Sequence, residues 1–301
     1  MILTHTVQRE TKLLSILRRE LGLSSTLVNR LKYKQAYRVN GQAVFTNFIV
    51  RPGDVVSVTL EEETPIYPAE DVPLTILYED EALIAVDKPA GMMVHPSSAR
   101  NTGTLANALV SYYQKTGQAS AVHPVSRLDR ATFGVVLLAK NAHIHAKMCA
   151  QSKAGAIEKV YRAAVLGGPV AETGLIDAPI ARLSPTGMLR GVREDGKPAR
   201  TAWTVIDRSE IGSQAVTLLE LQALTGRTHQ LRVHCAHMGW PILGDPQYAS
   251  PACRALSAQL RLQWQQLCAV WLSFVHPMTG KFVEIWTKQS VSLDFSRGTD
   301  V

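Results

Sequence analysis

The chain has 301 residues, 46% of them hydrophobic, and its 32 Lys/Arg outnumber 25 Asp/Glu for a net charge of +7. That size supports a full core and about two domains, and no apolar run approaches the roughly 20 residues of a membrane span; the basic excess favours a polyanion such as nucleic acid over acidic or membrane-embedded roles. Four scattered cysteines (Cys149, Cys235, Cys253, Cys268) without paired spacing predict reduced thiols in a cytoplasm, and the start MILTHTVQRE lacks a signal-peptide pattern.

In chain order, residues 11–21 (TKLLSILRREL) place Leu13, Leu14, Leu17 and Leu21 on one helical face and Lys12, Arg18 and Arg19 on the other. Gly22 ends that helix, and Ser24 or Ser25 can cap a second over TLVNRLKYK. YRVNGQAV reads as a tight hairpin turned at Asn40-Gly41, and VRPGDVVSVTL as a turn and closing strand. Residues 1–60 hold nine Lys/Arg against three acids, whereas 61–81 hold eight acids, no base and three prolines. That switch predicts a small basic module over 1–60, an acidic, proline-bearing linker over 61–75 and a larger unit over 76–301. Charge alone fits an ordinary helical module with solvated faces equally well.

In the larger unit, strand-like runs (ALIAVDK, GVVLLAK, VYRAAVLG, RTAWTVID, AVTLLELQAL, AVWLSFVHP, FVEIWT) outnumber helical patterns at about 102–115, 141–152, 227–238 and 252–268. Because helices and strands do not alternate strictly, the expected fold is α+β with a mixed, mainly antiparallel sheet. No glycine-rich phosphate loop or dinucleotide fingerprint is present, so no nucleotide cofactor is expected.

Four stretches can carry chemistry. In VDKPAGMMVHP (86–96), Lys88 and His95 flank a stiff loop and could meet phosphate, or could simply be solvated. In HPVSRLDRATFGVVLLAK (123–140), Asp129 sits between Arg127 and Arg130 ahead of an apolar strand. A carboxylate so placed is most often one member of a surface ion-pair cluster; partly desolvated at a sheet edge beside a guanidinium, it would be a nucleophile or base. In EKVYRAAVLG, Tyr161 enters a strand and either packs in the core or stacks on an unpaired base. In TGRTHQLRVHCAHMGWPILGDPQY (225–248), Thr228 can cap a helix carrying Arg232, well suited to pair with a carboxylate from another loop. His234 and His237 raise a zinc site, but no third ligand supports it and no metal is expected.

In this order the four stretches, with FVHPMTGK behind them, resemble the RluA/RluD-type RNA pseudouridine synthases over residues 76–287. Residues 9–60 resemble the alpha-L RNA-binding module of a ribosomal protein, mainly through RVNGQAV and VRPGDVVSV. The resemblance implies an isomerase that converts uridine in structured RNA, ribosomal or transfer RNA, to pseudouridine by base flipping. It makes Asp129 the essential aspartate, Arg232 its basic partner, Tyr161 the tyrosine against the flipped base and Arg127 the arginine that enters the stack. Lys88, His95, Arg227 and His229 become candidate substrate contacts, and Arg18, Arg19, Arg30, Lys32 and Lys34 candidate phosphate contacts of the module.

Two positions depart from the family pattern: Ser126 stands where His is usual, and Phe133 where Ser or Thr is usual. Neither is the reacting residue, so the expected activity stands. Attack at C1′, addition to C6 and removal of the 2′ proton all remain open to one carboxylate. A glycoside hydrolase normally adds a second carboxylic acid as proton donor; none was counted in the four stretches, which favours isomerisation over hydrolysis. The alternative is a non-catalytic RNA-binding or ribosome-assembly factor, a reading that the presence of Asp129 disfavours. A monomer without cofactor, metal or membrane contact is the default expectation.

Overall fold

The computed structural model describes residues 1–60, 66–96, 101–118 and 120–295. The N-terminal part begins with β1 (Ile2–Thr6), β2 (Thr11–Lys12) and α1 (Leu13–Ser15), which widens into a π turn over Ile16–Glu20. Then come α2 (Ser25–Lys32), β3 (Tyr37–Val39), β4 (Gln42–Ala43), β5 (Ile49–Val50) and β6 (Val55–Thr59).

The helix expected over 11–21 is therefore shorter, because Thr11 and Lys12 pair with β5 instead. Its inward face also shifts. The Leu21 N–H reaches back five residues to the Ile16 carbonyl at 3.0 Å, and Ile16 is buried where Leu14, 43% exposed, had been expected. Ser24 caps α2 by accepting the Leu27 N–H at 3.1 Å. Asn40 and Gly41 take positive φ values of 50° and 82° in the β3–β4 turn, the geometry a two-residue hairpin needs. A separate core of Leu13, Leu17, Leu31, Tyr37, Val56 and Val58 holds this part together, leaving Arg18, Arg19, Arg30, Lys32 and Lys34 exposed.

The larger unit contains β7 (Ile76–Glu79), β8 (Leu83–Lys88), α3 (Leu105–Lys115), β9 (His123–Pro124), β10 (Phe133–Ala139), α4 (Ala142–Lys153) and β11 (Glu158–Leu166). It continues with β12 (Thr173–Asp177), β13 (Ile180–Arg182), β14 (Arg190–Val192), β15 (Arg200–Ile211) and β16 (Gln214–Ala223). Last are α5 (Gln230–His237), α6 (Pro251–Gln259), β17 (Leu267–Val275) and β18 (Phe282–Trp286). The main sheet runs β12-β15-β16-β11-β17-β10-β8-β7, with β18 on β17 and β9 on β10. Every described pair in it is antiparallel except β10 with β17, which makes the fold α+β around a mixed sheet.

That one parallel junction explains a glycine. Gly134 has φ +104°, and a Cβ there would lie 2.3 Å from the Ala269 carbonyl oxygen of β17. α6 ends at Gln259, short of the expected 268, where Arg261 turns the chain with φ 53°. Residues 61–65 of the expected linker lie outside the described residues. Residues 66–75 form neither helix nor strand; the Asn107 side-chain amide of α3 donates to the Pro68 carbonyl at 2.9 Å, and the Glu70 N–H to the Asn107 carbonyl at 3.1 Å.

Candidate active site

Asp129 lies in the loop between β9 and β10, with 30% of its side chain exposed. The loop is anchored on both sides. The Thr132 N–H donates to the Asp129 carbonyl at 3.1 Å, and the Thr132 hydroxyl accepts the Gln265 side-chain amide at 2.6 Å. Arg130 donates through Nε to the Gly91 carbonyl at 2.9 Å and lies over the Trp264 ring at 5.7 Å. Both arginines that bracket Asp129 are exposed, but Arg130 is tied to Gly91 and Trp264 by these contacts.

The cation that meets Asp129 comes from α5. Arg232 is 5% exposed and donates through Nη1 to Asp129 Oδ2 at 2.9 Å. Its Nε and Nη2 grip Asp245 at 2.7 and 2.8 Å in a two-pronged ion pair, and Nη2 also reaches Gln247 Oε1 at 2.9 Å. Its guanidinium also lies over the Tyr248 ring at 4.9 Å. Burial pushes the Asp245 carboxyl upward, but the Arg232 hydrogen bonds and charge, with the Gln247 and Tyr248 N–H groups, outweigh it and hold that carboxyl below its ordinary value.

Asp245 corrects the count of acids made from the sequence. It, Asp87 and Glu158 all fall within the four stretches, so further carboxylates are present. Neither Asp245 nor Asp87 is available as a proton donor to substrate, and Glu158 is exposed at the first position of β11. Asp245 is held ionised by Arg232, and Asp87, 5% exposed, accepts from Thr287 Oγ1 at 2.6 Å and the Lys288 N–H at 2.9 Å.

Lys88 also needs correcting. It is fully buried, and its ammonium donates to the carbonyls of Pro89 at 2.9 Å, Met92 at 2.8 Å and Arg130 at 3.2 Å. An ammonium has three donors, so none remains for a phosphate; the side chain instead ties the 89–92 turn to the Asp129 loop. Burial pulls Lys88 down to about 7, against the opposing charge of Asp129.

Tyr161, half-buried on β11, is pushed up to about 12, first by burial and then by the charge of Asp129. It therefore stays a neutral phenol beside the carboxylate. His229 Nε2 lies 3.8 Å from Asp129 Oδ2. His229 also holds the start of α5, in place of the expected Thr228, and its φ of 58° gives no side-chain cap. Arg227, half-buried, donates through Nε to the Pro198 carbonyl at 2.9 Å. His95 and Arg127 are set apart from this cluster. Together with Tyr67, His123 and His145 they line a cleft of about 310 Å³, and burial followed by the charge of Arg127 lowers the His95 pKa.

The two imidazoles weighed for zinc do not form a site. His234 is fully buried with Nδ1 2.8 Å from Thr201 Oγ1 and Nε2 2.9 Å from the Ala178 carbonyl, and no metal-binding cluster exists among the described residues.

Asp129 is thus a carboxylate held by a buried arginine, and its charge reaches a neutral tyrosine, Tyr161. Residues 82–237 also match the family model described as RNA pseudouridylate synthase. The chain belongs to that family. A Bacillus subtilis relative described as an uncharacterized RNA pseudouridine synthase, YjbO, is 35% identical over 86% of this chain and 89% of its own. The ribosomal large subunit pseudouridine synthase D of Pseudomonas aeruginosa is 35% identical over 80% of this chain and 78% of its own. Among solved structures, the human RNA pseudouridylate synthase domain containing 1 aligns with TM-score 0.61 and 26% identity over 74% of this chain and 86% of that one.

This pseudouridine synthase is therefore an isomerase of RNA uridine, and the binding-factor alternative falls away. Asp245, Gln247, Tyr248 and Gln265 were not singled out from the sequence, although GDPQY had been quoted. An acid thirteen positions beyond Arg232 on the chain carries no sign of facing it until α5 and the following turn are folded together.

Proposed function

We propose that this chain isomerises uridines of large-subunit ribosomal RNA in the cytoplasm, with Asp129 as the reacting carboxylate. The observation that carries the reading is the Arg232–Asp129 pair at 2.9 Å, itself braced by Asp245. Arg232 occupies Oδ2, while Oδ1 takes no hydrogen bond from the described residues and is the oxygen left for substrate.

Making pseudouridine breaks the N1–C1′ bond, turns the uracil and rejoins it through C5. The C5 hydrogen leaves as a proton, and N1 gains one. Those atoms are hidden inside a stack, so the nucleotide must be extruded. In this reading Arg127, exposed at the rim, enters the vacated place in the stack, and Tyr161 packs against the extruded base. Arg227 and His229 contact the nucleotide at the pocket edge, and His95 the strand beside Arg127. The 1–60 module, with Arg18, Arg19, Arg30, Lys32 and Lys34, grips flanking phosphates without choosing sequence. The ribosomal substrate is favoured because the Pseudomonas aeruginosa relative is named for it.

The test is release of tritium from RNA labelled at uracil C5, using large-subunit ribosomal RNA and bulk transfer RNA in parallel. Release from the ribosomal RNA, lost in Asp129→Asn, is expected. Release from transfer RNA alone would refute the substrate assignment.

A further inference from the structure

The His229 ring stands between two groups. Its Nδ1 is 2.8 Å from the Tyr248 hydroxyl, and its Nε2 is 3.8 Å from Asp129 Oδ2. We propose that Tyr248 is a positioning residue, holding His229 in the tautomer that carries its proton on Nε2, directed at Asp129. This rests on the reading of Asp129 as the reacting carboxylate.

The argument is an accounting of protons. A phenol has one donor and can accept twice. The Tyr248 oxygen already accepts the Arg190 backbone N–H at 3.0 Å. If Nδ1 carried a proton, the same oxygen would accept twice, and its own proton would have no acceptor among its described contacts. If Nδ1 is bare, the hydroxyl proton goes to Nδ1 and each group is matched. Burial raises the Tyr248 pKa, so the phenol keeps its proton to donate.

The remaining ring proton is then on Nε2, provided the imidazole is neutral. Its surroundings favour that. Burial lowers the His229 pKa; Asp129 and Asp245 oppose this, and Arg232 and Arg190 add to it, for a net downward shift. The backbone supports a built arrangement. His229 has φ 58°, a conformation uncommon outside glycine, at the residue that opens α5, and from there its ring meets both Tyr248 and Asp129.

The consequence is a neutral N–H donor held at the edge of the carboxylate. At 3.8 Å it is beyond a hydrogen bond, and a closure of about 0.8 Å would make one. Such contacts are often long before substrate binds and tighten in the complex. A neutral N–H donor steadies the Asp129 carboxylate without being acidic enough to protonate it, as an imidazolium could be.

The first experiment is ¹⁵N NMR at pH 7 on protein labelled in its histidines, with His229 assigned by the signals lost in His229→Gln. A protonated Nε2 and bare Nδ1 are expected in the wild type, changing to a mixture in Tyr248→Phe. The phenylalanine keeps the ring over Arg232 and removes only the hydroxyl. A protonated Nδ1, an imidazolium, or no change in Tyr248→Phe would overturn the proposal.

The second arm measures kinetics on the tritium-labelled ribosomal RNA. Tyr248→Phe should lower kcat about tenfold with KM within about twofold, and the acid limb of its pH profile should move. An unchanged kcat would overturn the catalytic consequence. So would a rise in KM alone, which is what mere loosening of β14 through the lost Arg190 contact produces. Wild-type protein that releases no tritium would refute the functional reading instead, and the NMR result would still decide the role of Tyr248.

Discussion

Arg232 and Arg18 carry the same guanidinium in opposite settings. Arg232 is 5% exposed and makes four hydrogen bonds, to Asp245, Asp129 and Gln247. Arg18 stands exposed in the π turn of the N-terminal module. A buried cation must have its partners fixed, because an unpaired charge in the interior is costly. A solvated one needs none and can follow a flexible polyanion. The larger unit thus spends burial on placing one carboxylate, while residues 1–60, in the proposed reading, would offer charge that any phosphate can use.

The contrast can be broken from the buried side first. Asp129→Asn should cut tritium release by about 10³-fold or more and leave the melting temperature nearly unchanged, since Asp129 is 30% exposed and Arg232 retains Asp245. A variant that melts early would instead make Asp129 a structural residue. Asp245→Asn should destabilise the protein by about 3–5 kcal/mol, read by urea unfolding, because it strips a buried arginine of its main partner. Survival at wild-type stability would show that Gln247 and Asp129 suffice to hold Arg232.

Acid should reproduce that loss more gradually. The Asp245 carboxyl is held below its ordinary value of 3.8 in the folded state. Its contribution is fully present above that value and fades as the pH falls through the lower folded one. Unfolding free energy measured from pH 5 downward should therefore drop less steeply in Asp245→Asn than in the wild type. On the exposed side the effects are smaller. Arg18→Ala or Arg19→Ala should weaken RNA binding regardless of sequence and reduce the slope of log affinity against log salt by about one. Single-turnover rates at saturating RNA should not move; a fall there would tie the module to catalysis.

Local chemistry made much of this legible. The Asn40-Gly41 hairpin, the cap at Ser24 and the apolar strands β8, β10 and β17 follow from turn residues and patterning over a few positions. The pairing of Asp129 with Arg232, 103 positions apart, was implied by motif resemblance, and the geometry agrees. What stayed hidden was burial. Lys88 reads as a loop cation until three carbonyls close around it, and Asp245 reads as a turn residue until Arg232 faces it. The shift of the first helix was equally hidden, since a π turn changes which leucine points inward without changing the sequence pattern.

β17 has an implication for how the molecule is made. It begins at Leu267 yet lies between β11 and β10 at the middle of the main sheet, and Gln265 just before it braces Thr132. At about 5–20 residues per second, a ribosome needs on the order of tens of seconds to reach that point. Until then β10 and β11 lack their common neighbour, and the loop carrying Asp129 lacks its brace. A chain ending before Leu267 is expected to be digested rapidly by protease where the full chain resists. The nascent protein therefore holds Asp129, Tyr161 and Arg232 well before it can set them against one another, and arming of the enzyme waits on the translation of β17.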